Sequence, residues 1–230
     1  MHDVQSRWQN ILDSISSSAR KAGRSPDEIE LMAVSKTHPY ASISSLFACG
    51  QMMFGENRVQ EAEQKFPVDR PRGMDLHLIG HLQSNKAKKA VSLFDAIDSV
   101  DSLKLAQKLE SLLDKPLPIL LEYKTAVNDS AKSGFETPDE LFSALEQISS
   151  FRHLTVKGLM TIGPLGAGEK ETRNAFALLC KTAQMARLRF PHLDFSTLSM
   201  GMSQDYGWAI EEGSTRIRIG SALFGAREYV

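Results

Sequence analysis

Lys36 is the residue in this sequence whose type and place most invite chemistry. It follows the apolar run of residues 31–34 in "LMAVSKTHPY", and Pro39 ends regular structure shortly after it. A charge at the tip of a buried strand costs free energy, so the position asks for a use. A lysine held away from water keeps more of its neutral amine and can add to an aldehyde. The alternative is a strand-end lysine whose stem lies along the protein while its ammonium reaches solvent.

Two short loops offer a complementary chemistry. "SMGMSQD", residues 199–205, carries Ser199, Gly201 and Ser203 just before a short helical pattern, and "GSALFG" begins with Gly220 and Ser221. Backbone N–H groups and hydroxyls in such loops can converge on an anion, phosphate above all. The plainer alternative is that Gly201 and Gly220 allow tight turns. A Schiff-base lysine facing a phosphate site suggests pyridoxal 5'-phosphate (PLP). Arg218 fits that idea, because a guanidinium only donates and would keep a pyridine nitrogen unprotonated. It fits a structural ion pair at a barrel rim equally well. Asn57 at a strand end is a further pocket candidate. His77 alternates with Leu76 and Leu78 and so faces away from them, as a hydrogen-bonded core histidine would.

These residues need a scaffold, and the chain supplies a regular one. Val4, Trp8, Ile11, Leu12, Ile15 and Ala19 recur at helical spacing, with Gly23 as a stop. Eight strand-like runs follow: "IELMAVSK", "MMFGEN", "DLHLIG", "FDAIDSV", "PILLEYK", "LTVKGLMTI", "STLSMG" and "RIRIG". Helical stripes separate them, among them Leu141, Leu145 and Ile148 behind a Thr137-Pro138-Asp139-Glu140 capping box. The alternation predicts an α/β fold, a (β/α)8 TIM barrel with an extra N-terminal helix, as one domain over residues 1–230. An open doubly wound sheet is the runner-up. In a barrel, sites lie at the C-terminal strand ends. Lys36, Asn57, Met160, Ser199 and Arg218 all fall at or near such ends.

Composition narrows the partners. The 230 residues carry 27 basic and 28 acidic side chains, a net charge of -1. That balance gives no electrostatic footprint for nucleic acid or an anionic membrane. No segment reaches the ~18 uninterrupted apolar residues of a membrane span, and the N-terminus lacks a signal-peptide layout. Cys49 and Cys180 sit in apolar helical patterns and read as reduced core residues. A cytoplasmic setting is expected.

The segments "LMAVSKTHP", "FGENRVQE", "LHLIGHLQSNK", "KSGF", "GLMTIGP", "LSMGMSQD" and "IRIGSALFGAREY" together resemble the pyridoxal phosphate homeostasis proteins, whose barrel is like that of alanine racemase. The resemblance implies Lys36 as the Schiff-base lysine and Ser199, Gly201, Ser203, Gly220 and Ser221 around the phosphate. It also implies Arg218 near the pyridine nitrogen, with Asn57, His77 and Met160 lining the pocket. One departure is Glu122-Tyr123-Lys124, where such proteins usually carry Gln or Val followed by Asn. Lys124 would there be a second amine near the mouth or a solvated strand end.

The implied role is storage and delivery of PLP without turnover, with PLP-dependent apo-enzymes as partners, in a monomer or weak dimer. A PLP-dependent amino-acid racemase is the alternative. The related racemases bring a second base, a tyrosine, from a separate β-domain, which this chain is expected to lack. Tyr206 is the substitute to test. A sugar-phosphate enzyme with the same phosphate site is a third reading.

Overall fold

The computed structural model describes residues 2–126 and 133–225. Eight strands close into one parallel barrel in the order of the chain. They are β1 (Glu30–Val34), β2 (Met53–Glu56), β3 (Asp75–Leu78), β4 (Ala96–Val100), β5 (Leu117–Glu122), β6 (Leu154–Met160), β7 (Thr197–Ser199) and β8 (Arg216–Ile219). β8 pairs with β1, Glu30 opposite Arg216 and Met32 opposite Arg218, so the open-sheet alternative is excluded. The helices are α1 (His2–Lys21), α2 (Tyr40–Ala48), α3 (Val59–Lys65), α4 (Ala87–Leu93), α5 (Leu103–Glu110), α6 (Pro138–Ile148), α7 (Glu169–Arg189), α8 (Tyr206–Glu211) and α9 (Ser221–Phe224). None among the described residues is long and apolar enough to cross a membrane.

The helices bury the stripes that the spacing predicts. Leu141, Leu145 and Ile148 of α6 and Phe176, Leu179, Ala183 and Ala186 of α7 are buried against the outside of the sheet. Each large side chain so buried contributes roughly 1.5–3 kcal/mol. The capping box over Thr137 is half as expected. Thr137 Oγ1 accepts from Glu140 N–H at 3.2 Å, but the Glu140 carboxylate reaches one residue further out, to Glu136 N–H at 2.9 Å. The leading helix α1 seals the β8 side: Arg7 donates to Leu223 O at 3.0 Å and Ser14 Oγ bonds Tyr206 Oη at 2.7 Å. Both cysteines are free thiols and only part-buried. Burial pushes the Cys180 thiol up to about 11, which keeps it protonated and unreactive at neutral pH.

Inside the barrel the strands alternate as period 2 requires. Ile217 and Ile219 join the outer core, so Arg216 and Arg218 point inward. Arg216 lies at the N-terminal end of the barrel, where Nε bonds Glu30 at 2.8 Å and Nη1 bonds Asp98 at 3.1 Å. His77 joins the same cluster. Its Nδ1 lies 2.9 Å from Asp98 and its Nε2 3.0 Å from Asp75.

Burial alone would lower the His77 pKa, but the charge of Asp98 and hydrogen bonds to Asp75 and Asp98 carry it up to about 9. A raised folded-state pKa means stability that is full below the ordinary histidine value of 6.5 and is lost as pH rises through about 9. Melting temperature should therefore decline between these pH values. His77→Gln should flatten that decline while lowering stability at pH 6. A decline of unchanged slope in His77→Gln would assign it to other groups.

Candidate functional site

Lys36 lies two residues past the end of β1 and lines a cavity of about 360 Å³ at the C-terminal end of the barrel. The turn around it is defined by Ser35 N–H donating to Gly55 O at 3.0 Å and His38 N–H donating to Ser35 O at 3.1 Å. Ser203, Arg218, Gly220 and Ser221 line the same cavity. Residues from three separate strand ends are thus brought to one place by barrel closure.

Arg218 is the most constrained of them. It is 4% exposed, with Nη1 donating to Ser199 Oγ at 2.7 Å and Nη2 to Thr161 O at 2.8 Å. Burial pushes its guanidinium below the ordinary arginine value against the pull of Asp98, Glu122 and Asp205. A guanidinium is not deprotonated in proteins and only donates, so Arg218 enters the cavity as a fixed cation and donor. Ser199 is fully buried, and its hydroxyl accepts one of the Arg218 hydrogen bonds.

The loop after β7 turns at Gly201, whose φ is +94°. A Cβ there would lie 2.5 Å from Ala209 Cβ and 3.0 Å from Tyr206 Cα. Packing against α8 is therefore by itself sufficient to require glycine at 201. Ser203 and Gln204, two and three residues on, face the cavity. Asp205 Oδ1 accepts the Met202 N–H at 2.5 Å and so braces the loop. Gly220 and Ser221 open α9, whose first N–H groups have no partner within the helix.

Three expected pocket residues lie elsewhere. His77 faces a hollow at the opposite, N-terminal end, with Asp75, Asp98 and Arg216. Strand alternation settles which face a side chain takes but not its depth along the barrel, which depends on strand stagger. Asn57 lines a separate hollow of about 200 Å³ with Arg58, His81, Gln83 and Lys86. Gly80 packs closely against this backbone: a Cβ there would lie 2.4 Å from Asn57 O. Met160 is fully buried in register with Ser199 and Glu122 and is not part of the cavity wall.

The departure at β5 also resolves. Lys124 Nζ is paired with Glu136 at 2.7 Å, away from the Lys36 cavity. Glu122 is buried and accepts from Ser133 Oγ at 3.0 Å. Burial, helped by the charge of Asp101, pushes it up to about 7.

One part of the wall had no counterpart in the expected site, the loop of residues 163–167 after β6. Its signal was present in the glycine and proline density of "TIGPLGAG".

The three described tyrosines are disposed away from the cavity. Tyr206 Oη is bonded to Ser14 on α1, Tyr123 is 3% exposed, and Tyr40 stands edge-on to Phe66. None of the three lines the Lys36 cavity. Tyr229 and Lys132 lie outside the described residues.

The chain matches the alanine racemase N-terminal domain family over residues 10–228. A pyridoxal phosphate homeostasis protein of Vibrio alginolyticus is 39% identical over 240 residues, which cover 100% of both chains. PipY of Synechococcus elongatus PCC7942 is 40% identical. Its structure without PLP aligns with TM-score 0.87 over 96% of this chain and 100% of that one. Its structure with PLP bound aligns with TM-score 0.78 over 92% and 100%. Alanine racemase of Clostridium difficile 630, at 14% identity and TM-score 0.68 over 95% of this chain and 57% of that one, shares the fold alone.

Proposed function

We infer the function of this chain from its membership: it belongs to the pyridoxal phosphate homeostasis proteins, within the alanine racemase N-terminal domain family. The protein binds PLP and acts in intracellular PLP homeostasis. The observation that carries this reading is the meeting of an amine, a fixed guanidinium and two hydroxyl-bearing loops on one cavity of about 360 Å³, a volume in the range of small-ligand sites.

Each group has a part. Lys36 is the amine that condenses with the PLP aldehyde, forming a C=N bond and releasing water. Ser203, Gly220 and Ser221 take the phosphate with hydroxyl and backbone donors. Arg218, held by Ser199 and Thr161, faces the pyridine nitrogen and keeps it unprotonated. A C=N bond to lysine is reversed by water or exchanged with another amine, so the cofactor can be handed on. That suits storage and delivery to PLP-dependent apo-enzymes in the cytoplasm.

The same groups argue against turnover. Racemisation needs an acid/base group on each face of the cofactor. The hydroxyl of Tyr206, the substitute base to test, is held by Ser14 on α1. An arginine at the nitrogen also weakens the electron sink that an acidic partner would strengthen. The PLP-loaded protein should show no racemase, transaminase or decarboxylase rate above that of free PLP. A rate on alanine or serine that falls by orders of magnitude in Tyr206→Phe would overturn the carrier reading.

A further inference from the structure

Lys36 sits between two residues that are both gripped from behind. Thr37 follows it with φ +66°, the only non-glycine in the left-handed region among the described residues. A β-branched side chain pays for that conformation, and such strain persists only where its surroundings enforce it. Here Thr37 N–H donates to Glu61 Oε1 at 2.5 Å, and its hydroxyl donates to Lys36 O at 2.6 Å. On the other side, Ser35 Oγ donates to Glu56 Oε1 at 2.7 Å and Ser35 O accepts from Lys65 Nζ at 2.9 Å.

Lys65 ties the two grips together. Its ammonium lies 2.7 Å from Glu56 and 2.8 Å from Glu61, with the lysine side chain 9% exposed and that of Glu56 fully buried. Glu56 Oε2 is buried with no hydrogen-bond partner among the described residues. A buried ion pair such as Lys65–Glu56 is a poor way to gain stability, since hydrophobic groups of similar volume do as well or better. None of its three members lines the Lys36 cavity.

We propose that Lys65, Glu61 and Glu56 are positioning residues that lock the strained turn and so aim the Lys36 amine at the cofactor aldehyde. The inference rests on Lys36 being the amine that bonds PLP. The triad reaches Lys36 only through its neighbours, Ser35 and Thr37. It therefore governs how readily the amine meets the aldehyde, and leaves the phosphate and ring contacts alone.

The test uses the full chain and two probes. PLP reports bond formation, read by absorbance and by borohydride fixation. 4'-Deoxypyridoxine 5'-phosphate, which lacks the aldehyde, reports the remaining contacts. Glu61→Ala and Lys65→Met should slow bond formation about tenfold or more, as misplacement of a reacting group does. Their affinity for the aldehyde-free analogue should stay within about twofold, a change too small to signal a lost hydrogen bond. Glu61→Gln, which keeps an acceptor for the Thr37 N–H, should recover much of the rate.

Thr37→Gly relieves the strain at an exposed position and guards against variants that fail to fold. It should melt as wild type does yet bond PLP more slowly. Wild-type rates in folded Glu61→Ala and Thr37→Gly would overturn the positioning role and leave Lys36 as the carrier. A parallel fall in affinity for the analogue would overturn it too, by making the triad merely structural. Failure of wild type to fix PLP at Lys36 would instead sink the assignment of Lys36 and this inference with it.

Discussion

Lys36→Ala gives a folded protein without the visible absorption of lysine-bound PLP, and borohydride no longer fixes the cofactor to the chain. The loss should be complete, because no other amine lines the cavity: Lys36 is its only lysine among the described residues. The two other lysines with a claim are occupied, Lys124 by Glu136 and Lys65 by Glu56 and Glu61. What binding survives should be that of the phosphate and ring contacts and should respond to phosphate as a competitor. A visible band of wild-type intensity in Lys36→Ala would move the bond to another amine.

Ser203→Ala should separate phosphate retention from bond formation. A hydroxyl donated to a charged acceptor is worth about 1.5–3 kcal/mol, or roughly one to two decades in affinity. PLP should thus leave faster, while the fraction that stays bound keeps its spectrum. Pyridoxal without phosphate should bind weakly to wild type and be nearly indifferent to the change. Equal sensitivity of pyridoxal and PLP would show that the loop is not the phosphate site.

Gly201→Val tests a different property. Its Cβ would meet Ala209 at 2.5 Å with the backbone at φ +94°. Overpacking of that kind costs about 1–3 kcal/mol, and backbone strain adds about as much again. Its signature is a lower melting temperature with or without cofactor.

The barrel was legible because its strands are short apolar runs separated by helical stripes at regular distance, the pattern of parallel strands buried on both faces. The cluster of Lys36, Ser203, Arg218, Gly220 and Ser221 was legible for a topological reason. All five lie at the C-terminal end of β1, β7 or β8, and closure makes those strands neighbours. Alternation rightly read His77 as a hydrogen-bonded core histidine; only the resemblance put it at the pocket, and alternation carries no information about depth to decide the end of the barrel. An inward histidine serves a cofactor at one end of a barrel and an ion cluster with Asp75, Asp98 and Arg216 at the other.

Asn57 lines a hollow separate from the Lys36 cavity, and no local pattern tells which of two neighbouring hollows a strand-end side chain enters. The packing reason for glycine at 201 was not legible, since the neighbour that excludes a side chain, Ala209, belongs to the following helix. Ser199 also accepts from Arg218, a pairing across two strands that only register discloses. The Lys65 triad has no local signature: Glu61 and Lys65 stand at the i,i+4 spacing of an ordinary helix pair, and the third member, Glu56, lies on β2.

Locating the covalent bond tests the account most directly. The PLP-loaded wild-type protein is reduced with borohydride, digested and analysed by peptide mass spectrometry. The phosphopyridoxyl group should be found on Lys36, in the peptide that also carries Thr37 and His38, in near-stoichiometric yield. A label spread over surface lysines, or concentrated on Lys65 or Lys124 with Lys36 unmodified, would contradict it.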